Sequence, residues 1–314
     1  RSAVVEGDGT ALMLEFAARG MNLDTTKMPQ MVARLGKQMM QMSMAATPAL
    51  QQAPLVLRES LIFPYVAGLE FVTTYRANQP WSRIDEVFRD PPDSTEQIIH
   101  PEKYEQRERP VPITAVPLTT LPGYKQARRD VLGEMLFRVW FSGRLSETAA
   151  AQAAAGWGGD RLVAYLTPGE ALPAVLILSA WDSELDADEA AQAAQKVIVG
   201  LTSAPPPPGA HPRPALKEKE RPRLRAMTRD RDESSASGGG GGGGLLVREL
   251  ADREFSVLRH GRLVAIVCGV PKGRAAPVAM EMLRTWQVSW PSAAPAATPL
   301  PAPAAAPAPP AGSP

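Results

Sequence analysis

RLVAYLTPGEALPAVLILSAWDSELDADEAAQAAQKVIVGL, residues 161–201, decides the fold. Two short apolar runs, RLVAYL (161–166) and AVLILSAW (174–181), lie either side of the turn-rich connector TPGEALP, and that pattern predicts two strands joined by a turn. DSELDADE then opens with acidic residues, which suit the positive end of a helix dipole, and an alanine-rich helix follows. The same order recurs downstream. REFSVLRH (253–260) and RLVAIVCGV (262–270) predict strands around a turn at His260–Gly261, and PVAMEMLRTW (277–286) predicts a helix. Two ββα units in tandem predict a small α+β domain with an antiparallel sheet over residues 156–290.

Upstream the pattern is helical. Val4, Val5, Leu12 and Phe16 recur at helical spacing, with Gly20 and Asn22 as a stop signal. Met28–Met44 predicts a second helix. Pro54–Tyr75 predicts a third, apolar enough to be buried, which Pro64 should kink or split. Trp81–Phe88 is a short helix, and Ser94 caps the turn STEQIIH with Gln97 at the capping-box position. Residues 108–123 carry four prolines and predict an extended connection. GEMLFRVWF and SETAAAQAAAGW, with Ser146 as N-cap, complete a helical region over 1–155. The fold class expected is therefore α+β: a mainly helical N-terminal region followed by the two ββα units.

Composition bounds what the chain can do. Of its 314 residues 32 are Pro and 25 Gly, too many for a uniformly compact protein, and two stretches hold much of the excess. Residues 203–244 combine a proline run, a mixed-charge block and seven glycines, which predicts a disordered insertion; 291–314 predicts a flexible Ala/Pro tail. Seven basic against five acidic residues between Lys217 and Glu233 make a poor nucleic-acid tether, and the net charge of +1 gives no global field for nucleic acid or an anionic membrane. A single cysteine, Cys268, excludes an internal disulfide and a cysteine-based zinc site. No apolar run approaches the length that crosses a bilayer, so no transmembrane segment is expected. Because the chain starts at Arg1 inside a patterned segment, it is expected to have lost its true N-terminus and any signal with it.

The residues alone assemble no complete active site. His100, His211 and His260 show no i,i+4 pair, and there is no GxSxG elbow, Walker A loop or GxGxxG after a strand. Met39, Met40, Met42 and Met44 would suit Cu(I), but their spacing is more simply that of adaptable packing. Taken by itself, Glu6 is an ordinary first-turn helix carboxylate. Trp157 and Asp160 in GWGGDR have a structural look, with two glycines permitting a tight turn into the strand.

Five stretches carry a resemblance: VVEGDGT (4–10), IFPYVAGLEFV (62–72), PPDSTEQIIHPEKY (91–104), GWGGDR (156–161) and AWDSELDADE (180–189). Together they resemble the downstream part of a family of bacterial zinc metallopeptidases of the gluzincin type, in which an HExxH helix precedes a segment similar to VVEGDGT. The HExxH segment is absent from this sequence. The resemblance implies that Glu6 is the third zinc ligand and Asp8 an acceptor that orients a ligand histidine. It implies peptide-bond hydrolysis of a peptide or protein substrate by a metal-activated water in the full-length protein, and export from the cytoplasm. It offers His100 or Tyr104, with Tyr65 as a further option, as stabilisers of the oxyanion. Equally open is that Glu96, His100 and Tyr104 form a capped, hydrogen-bonded turn holding the proline-rich connection. Because both imidazole ligands and the general base are missing, this chain is expected to be an inactive fragment that binds no Zn2+ tightly on its own. The other class of function is a non-catalytic extracytoplasmic binding or structural protein on the same scaffold.

Overall fold

The computed structural model describes residues 1–166, 173–203 and 244–291. The insertion expected at 203–244 and the tail expected at 291–314 fall outside the described residues except for Ser203, Gly244 and Pro291, as does His211. The first body is helical: α1 (Ser2–Arg19), α2 (Pro29–Ala45), α3 (Pro48–Gln52), α4 (Leu55–Tyr75), α5 (Ser82–Arg89), α6 (Thr95–Ile99) and α7 (Pro101–Glu105). The connection that follows carries β1 (Ile113–Thr114) and β2 (Lys125–Asp130). Next come α8 (Gly133–Ser142), α9 (Glu147–Ala154), β3 (Trp157–Leu166), β4 (Ala174–Trp181) and α10 (Glu184–Ser203). The last segment holds β5 (Leu245–Leu250), β6 (Arg253–His260), β7 (Leu263–Pro271), α11 (Ala275–Thr285) and β8 (Gln287–Val288). The fold is α+β, a helical N-terminal region followed by an antiparallel-sheet domain.

Both ββα units form, as β3–β4–α10 and β6–β7–α11. They meet at the centre of one six-stranded antiparallel sheet of order β2-β3-β4-β7-β6-β5, where β4 pairs with β7 through Ile177↔Ile266 and Leu178↔Ala265. Strand residues alternate between faces, and here both faces are covered, so β4 is apolar on both faces apart from the buried Ser179. Leu176, Leu178, Ala265 and Val267 pack against α11 and the proline-rich connection. On the opposite face Ile177, Val264 and Ile266 pack against α8, α9 and α10. The apolar cores divide the chain near residue 108: one gathers residues 3–104, and the other two draw on residues from 111 onward. Thus α8 and α9, grouped by sequence with the helical region of 1–155, pack on the sheet.

Several local signals operate as the residue chemistry dictates. The Ser146 hydroxyl accepts from Ala149 N–H at the start of α9, and Ser183 does the same for Asp186 N–H at the start of α10. Pro64 does not split α4, which runs unbroken across it. Proline costs about 3 kcal/mol in a helix interior, and burial of Leu69, Phe71 and Val72 downstream outweighs it. The β6–β7 turn lies one residue later than expected: His260 still pairs with Leu263, and Gly261 takes φ +55°.

The connection is tied down by a charge from the far end of the chain. The Glu281 carboxylate on α11 accepts from the backbone N–H and hydroxyl of both Thr119 and Thr120, at 2.6–2.9 Å. Burial opposes ionisation, but these hydrogen bonds win and bring its pKa down to about 2. A depressed carboxylate stabilises the fold above its unfolded pKa and loses that contribution as pH falls through the folded value. Glu281→Ala is therefore expected to cost about 2–4 kcal/mol near neutrality in urea titrations, and to make the loss of stability between about pH 4.5 and pH 2 shallower than in the unaltered chain.

Candidate functional site

Glu6 is placed by an unusually close helix crossing. Gly7 on α1 and Gly68 on α4 let the two backbones touch: a Cβ on Gly7 would overlap the Gly68 carbonyl, and one on Gly68 would overlap the carbonyl of Ala3. Glu6 immediately precedes Gly7, and Tyr65 lies one turn before Gly68, so the crossing sets these two side chains together. The Tyr65 hydroxyl lies on the Glu6 carboxylate, whose charge and hydrogen bond raise the tyrosine pKa. Both line a cavity of about 380 Å³ whose other walls include Met13, Met39 and Met40. Glu6 is half-buried, and among the described residues no cation pairs with it.

The outer face of α1 beside Glu6 is apolar. Val5, Leu12 and Phe16 are exposed, Phe16 to 79%, and Gly9 between them opens onto free space. Helices apolar on all sides are normally buried on all sides. α1 buries one side, through Val4, Ala11 and Leu14, and presents the other.

Asp8 does not join Glu6. Two residues apart on a helix are about 200° apart, so Asp8 points to the opposite flank. There burial and the charge of Asp85 raise its pKa, with Arg76 opposing. Arg76 is itself committed to Glu15 at 2.5 Å and to the face of Trp81 at 3.9 Å.

PPDSTEQIIHPEKY forms the junction between the two bodies. Ser94 accepts from Gln97 N–H, and the Gln97 side chain accepts from Asp93 N–H and donates to the Glu108 carbonyl. Tyr104 is 1% exposed, donates its hydroxyl to the Asp90 carbonyl at 2.6 Å and packs edge-on against Phe71 and Tyr75. His100 sets Nε2 at 3.1 Å from Glu134 Oε1 on α8. Lys103 sends its ammonium to Glu96, Glu108 and Asp182 at 2.5–2.9 Å. Those three carboxylates have the spacing of a metal-ligand group, but the ammonium already sits among them as their cation. Among the described residues nothing brings His100 or Tyr104 to Glu6.

GWGGDR works through its carboxylate. Gly156 turns with φ +75° into β3, and Trp157 is buried at its start. Asp160, 3% exposed, accepts from Leu132 N–H, Gly133 N–H and Trp157 Nε1–H, so it holds the first turn of α8 from a strand 27 residues downstream. Sequence reasoning passed over Lys103, Glu134 and Asp182. Their signal is weak, because each is a common surface residue type, and the pairs His100–Glu134 and Lys103–Asp182 lie 34 and 79 positions apart.

A catalytic zinc takes three protein ligands. Among the described residues no imidazole lies beside Glu6. A family model for a domain of unknown function, DUF8575, matches residues 119–230, less than half of the chain. That span includes Glu134, Asp160 and Asp182 and excludes Glu6, Tyr65 and His100. No curated protein matches the chain, and no solved structure matches it.

Proposed function

We propose that the chain is the carboxylate-bearing part of an exported zinc-dependent peptidase whose imidazole ligands are supplied by residues outside these 314. The observation that carries this reading is Glu6, a half-buried carboxylate with no cation among the described residues, held on the Tyr65 hydroxyl at the rim of a cavity. The apolar outer stripe of α1 gives a further helix a surface to pack on, directly beside Glu6. Tyr65, being the hydroxyl next to Glu6, takes over the oxyanion role that His100 and Tyr104 were also candidates for. Peptides and proteins are the substrates that this reading implies.

A non-catalytic binding or structural protein on the same scaffold is the second reading. It is favoured by the commitment of His100 and Tyr104 to partners at the junction. No helix among the described residues is long and apolar enough to cross a membrane, which leaves both readings in place.

Zinc content separates them. In protein expressed from the complete gene, Glu6→Gln should lower zinc affinity and peptide cleavage together by at least about a hundredfold, since even residues behind the ligands cost 10–100-fold. A folded, zinc-free native protein would establish the second reading. Calorimetric titration of the 314-residue chain with zinc should show no tight stoichiometric binding, and tight binding lost in Glu6→Gln would prove the ligand count wrong.

A further inference from the structure

The helical and sheet bodies meet along a trough of about 730 Å³, floored by Ile62, Phe63 and Val66 on α4 and walled by Ile98 on α6 and by Met135 and Val139 on α8. Beside the trough the walls are joined by charge. His100, between α6 and α7, reaches Glu134 on the first turn of α8, while its Nδ1 lies 3.4 Å from Glu102. Glu134 has a side chain 3% exposed, and its Oε2 has no hydrogen-bond partner among the described residues. Lys103 forms the second tie, from α7 to Asp182 in the turn after β4. Thr95 adds a neutral one, accepting from Met135 N–H at 3.3 Å.

We propose that the His100–Glu134 pair, together with the Lys103 carboxylate cluster, is a proton-controlled latch that sets how firmly α6 and α7 sit on α8, and with it the width of the trough.

The charges facing this junction are Glu96 from α6, Glu102 and Lys103 from α7, Glu108 from the connection, Glu134 from α8 and Asp182 from the sheet body. One ammonium serves three carboxylates at Lys103, so the most buried of them, Glu96, keeps its proton longest. Burial lifts its pKa to about 7 against the pull of Lys103. Lys103 stays charged, because its carboxylate hydrogen bonds outweigh burial. At His100 the hydrogen bond to Glu134 raises the pKa over the opposing effect of burial.

Both shifts act in one direction. A histidine whose folded pKa is raised stabilises the fold below its unfolded value, here 6.5, and loses that contribution as pH rises through the folded value. A carboxylic acid with a raised pKa also binds more protons when folded, so stability falls as pH rises from 4.5 to about 7. As pH rises the junction loses the positive charge of His100 and, near pH 7, gains the negative charge of Glu96. The junction then holds one cation fewer beside the buried Glu134 side chain and one negative charge more, and the tie between the walls of the trough weakens.

Hydrogen–deuterium exchange of the full chain, corrected for the chemical exchange rate, tests the latch. Between about pH 5.5 and about pH 8.5, amide protection over residues 94–105 and 133–139 should fall roughly tenfold, while the β4–β7 centre of the sheet keeps its protection. His100→Gln removes the titrating charge and should flatten most of that change; Glu96→Gln should remove part of it. His100→Lys, cationic throughout, should keep most of the low-pH protection at both values, losing only the part that follows Glu96, and it decides the matter if the glutamine variant unfolds. Equal protection at the two pH values in the unaltered chain would overturn the proposal. So would a folded His100→Gln chain with the full pH response, or a His100→Lys chain that still opens to the full extent at high pH.

Discussion

Gly68→Ala is expected to destabilise the helical body by about 3 kcal/mol or more, and to do so without changing any polar or charged group. An alanine methyl there meets the Ala3 carbonyl, and main chain cannot rotate aside as a side chain can. Relief comes only by moving α1 away from α4, which opens the packing of Val4, Leu14, Leu69 and Val72 behind it. Gly7→Ala meets the Gly68 backbone from the other side and should act alike. Gly9→Ala supplies the control. It adds the same methyl two residues on, into open space, and should be neutral or stabilise by up to about 1 kcal/mol through helix propensity. Chemical denaturation followed by far-UV circular dichroism distinguishes the three. If Gly68→Ala unfolds within 0.5 kcal/mol of the unaltered chain, a margin of about the size typical for neutral surface changes, the backbones are not in contact. Because the same crossing puts Tyr65 on Glu6, the tyrosine titration should return toward its ordinary value in any Gly68→Ala chain that stays folded.

Asp160→Ala should cost about 3–5 kcal/mol. Three donors lose their acceptor at once: the N–H groups of Leu132 and Gly133, and Nε1 of Trp157. Each unsatisfied buried donor carries a penalty of about 1–3 kcal/mol, partly shared when neighbours relax together. Burial raises the Asp160 pKa against these same hydrogen bonds, so the charge itself is costly and the acceptors are what the fold uses. Asp160→Asn, with one acceptor oxygen left, should recover about half of the loss. Urea midpoints with unchanged m-values give the comparison. An Asp160→Asn chain no more stable than Asp160→Ala would show that the negative charge, and not the oxygen count, holds α8.

Legibility followed the range of the interactions. The central strands β3, β4, β6 and β7 and the helices α10 and α11 are legible because each is a local apolar or helix-patterned run. β2 is not. KQARRD has five exposed residues of six and no apolar alternation, since it is an edge strand defined by its register against β3 and by nothing in its own composition. β5, beside the long insertion, was overlooked for a similar reason: it too is an edge strand. Within the candidate site Glu6 and Tyr65 each stand out in the sequence, but their meeting depends on two glycines 61 positions apart. PPDSTEQIIHPEKY was recognisable as a unit, with its Ser94–Gln97 cap, while the partners of His100 and Lys103 on α8 and after β4 were not. Long-range pairing of this kind is set by topology, which a single chain of letters carries only indirectly.

The Glu281 carboxylate and the β1–β8 pairing join residues 113–120 to residues 281–288. During synthesis the proline-rich connection therefore emerges from the ribosome long before its partners exist. The helical body, whose apolar core closes by residue 104, can settle first. The sheet body must wait, with the β4 edge that β7 later covers exposed meanwhile. Its closure is bound to be the slower event, because its deciding contacts span more than 160 residues. A chain stalled before α11 would display an open apolar sheet face, which is the species a chaperone would hold.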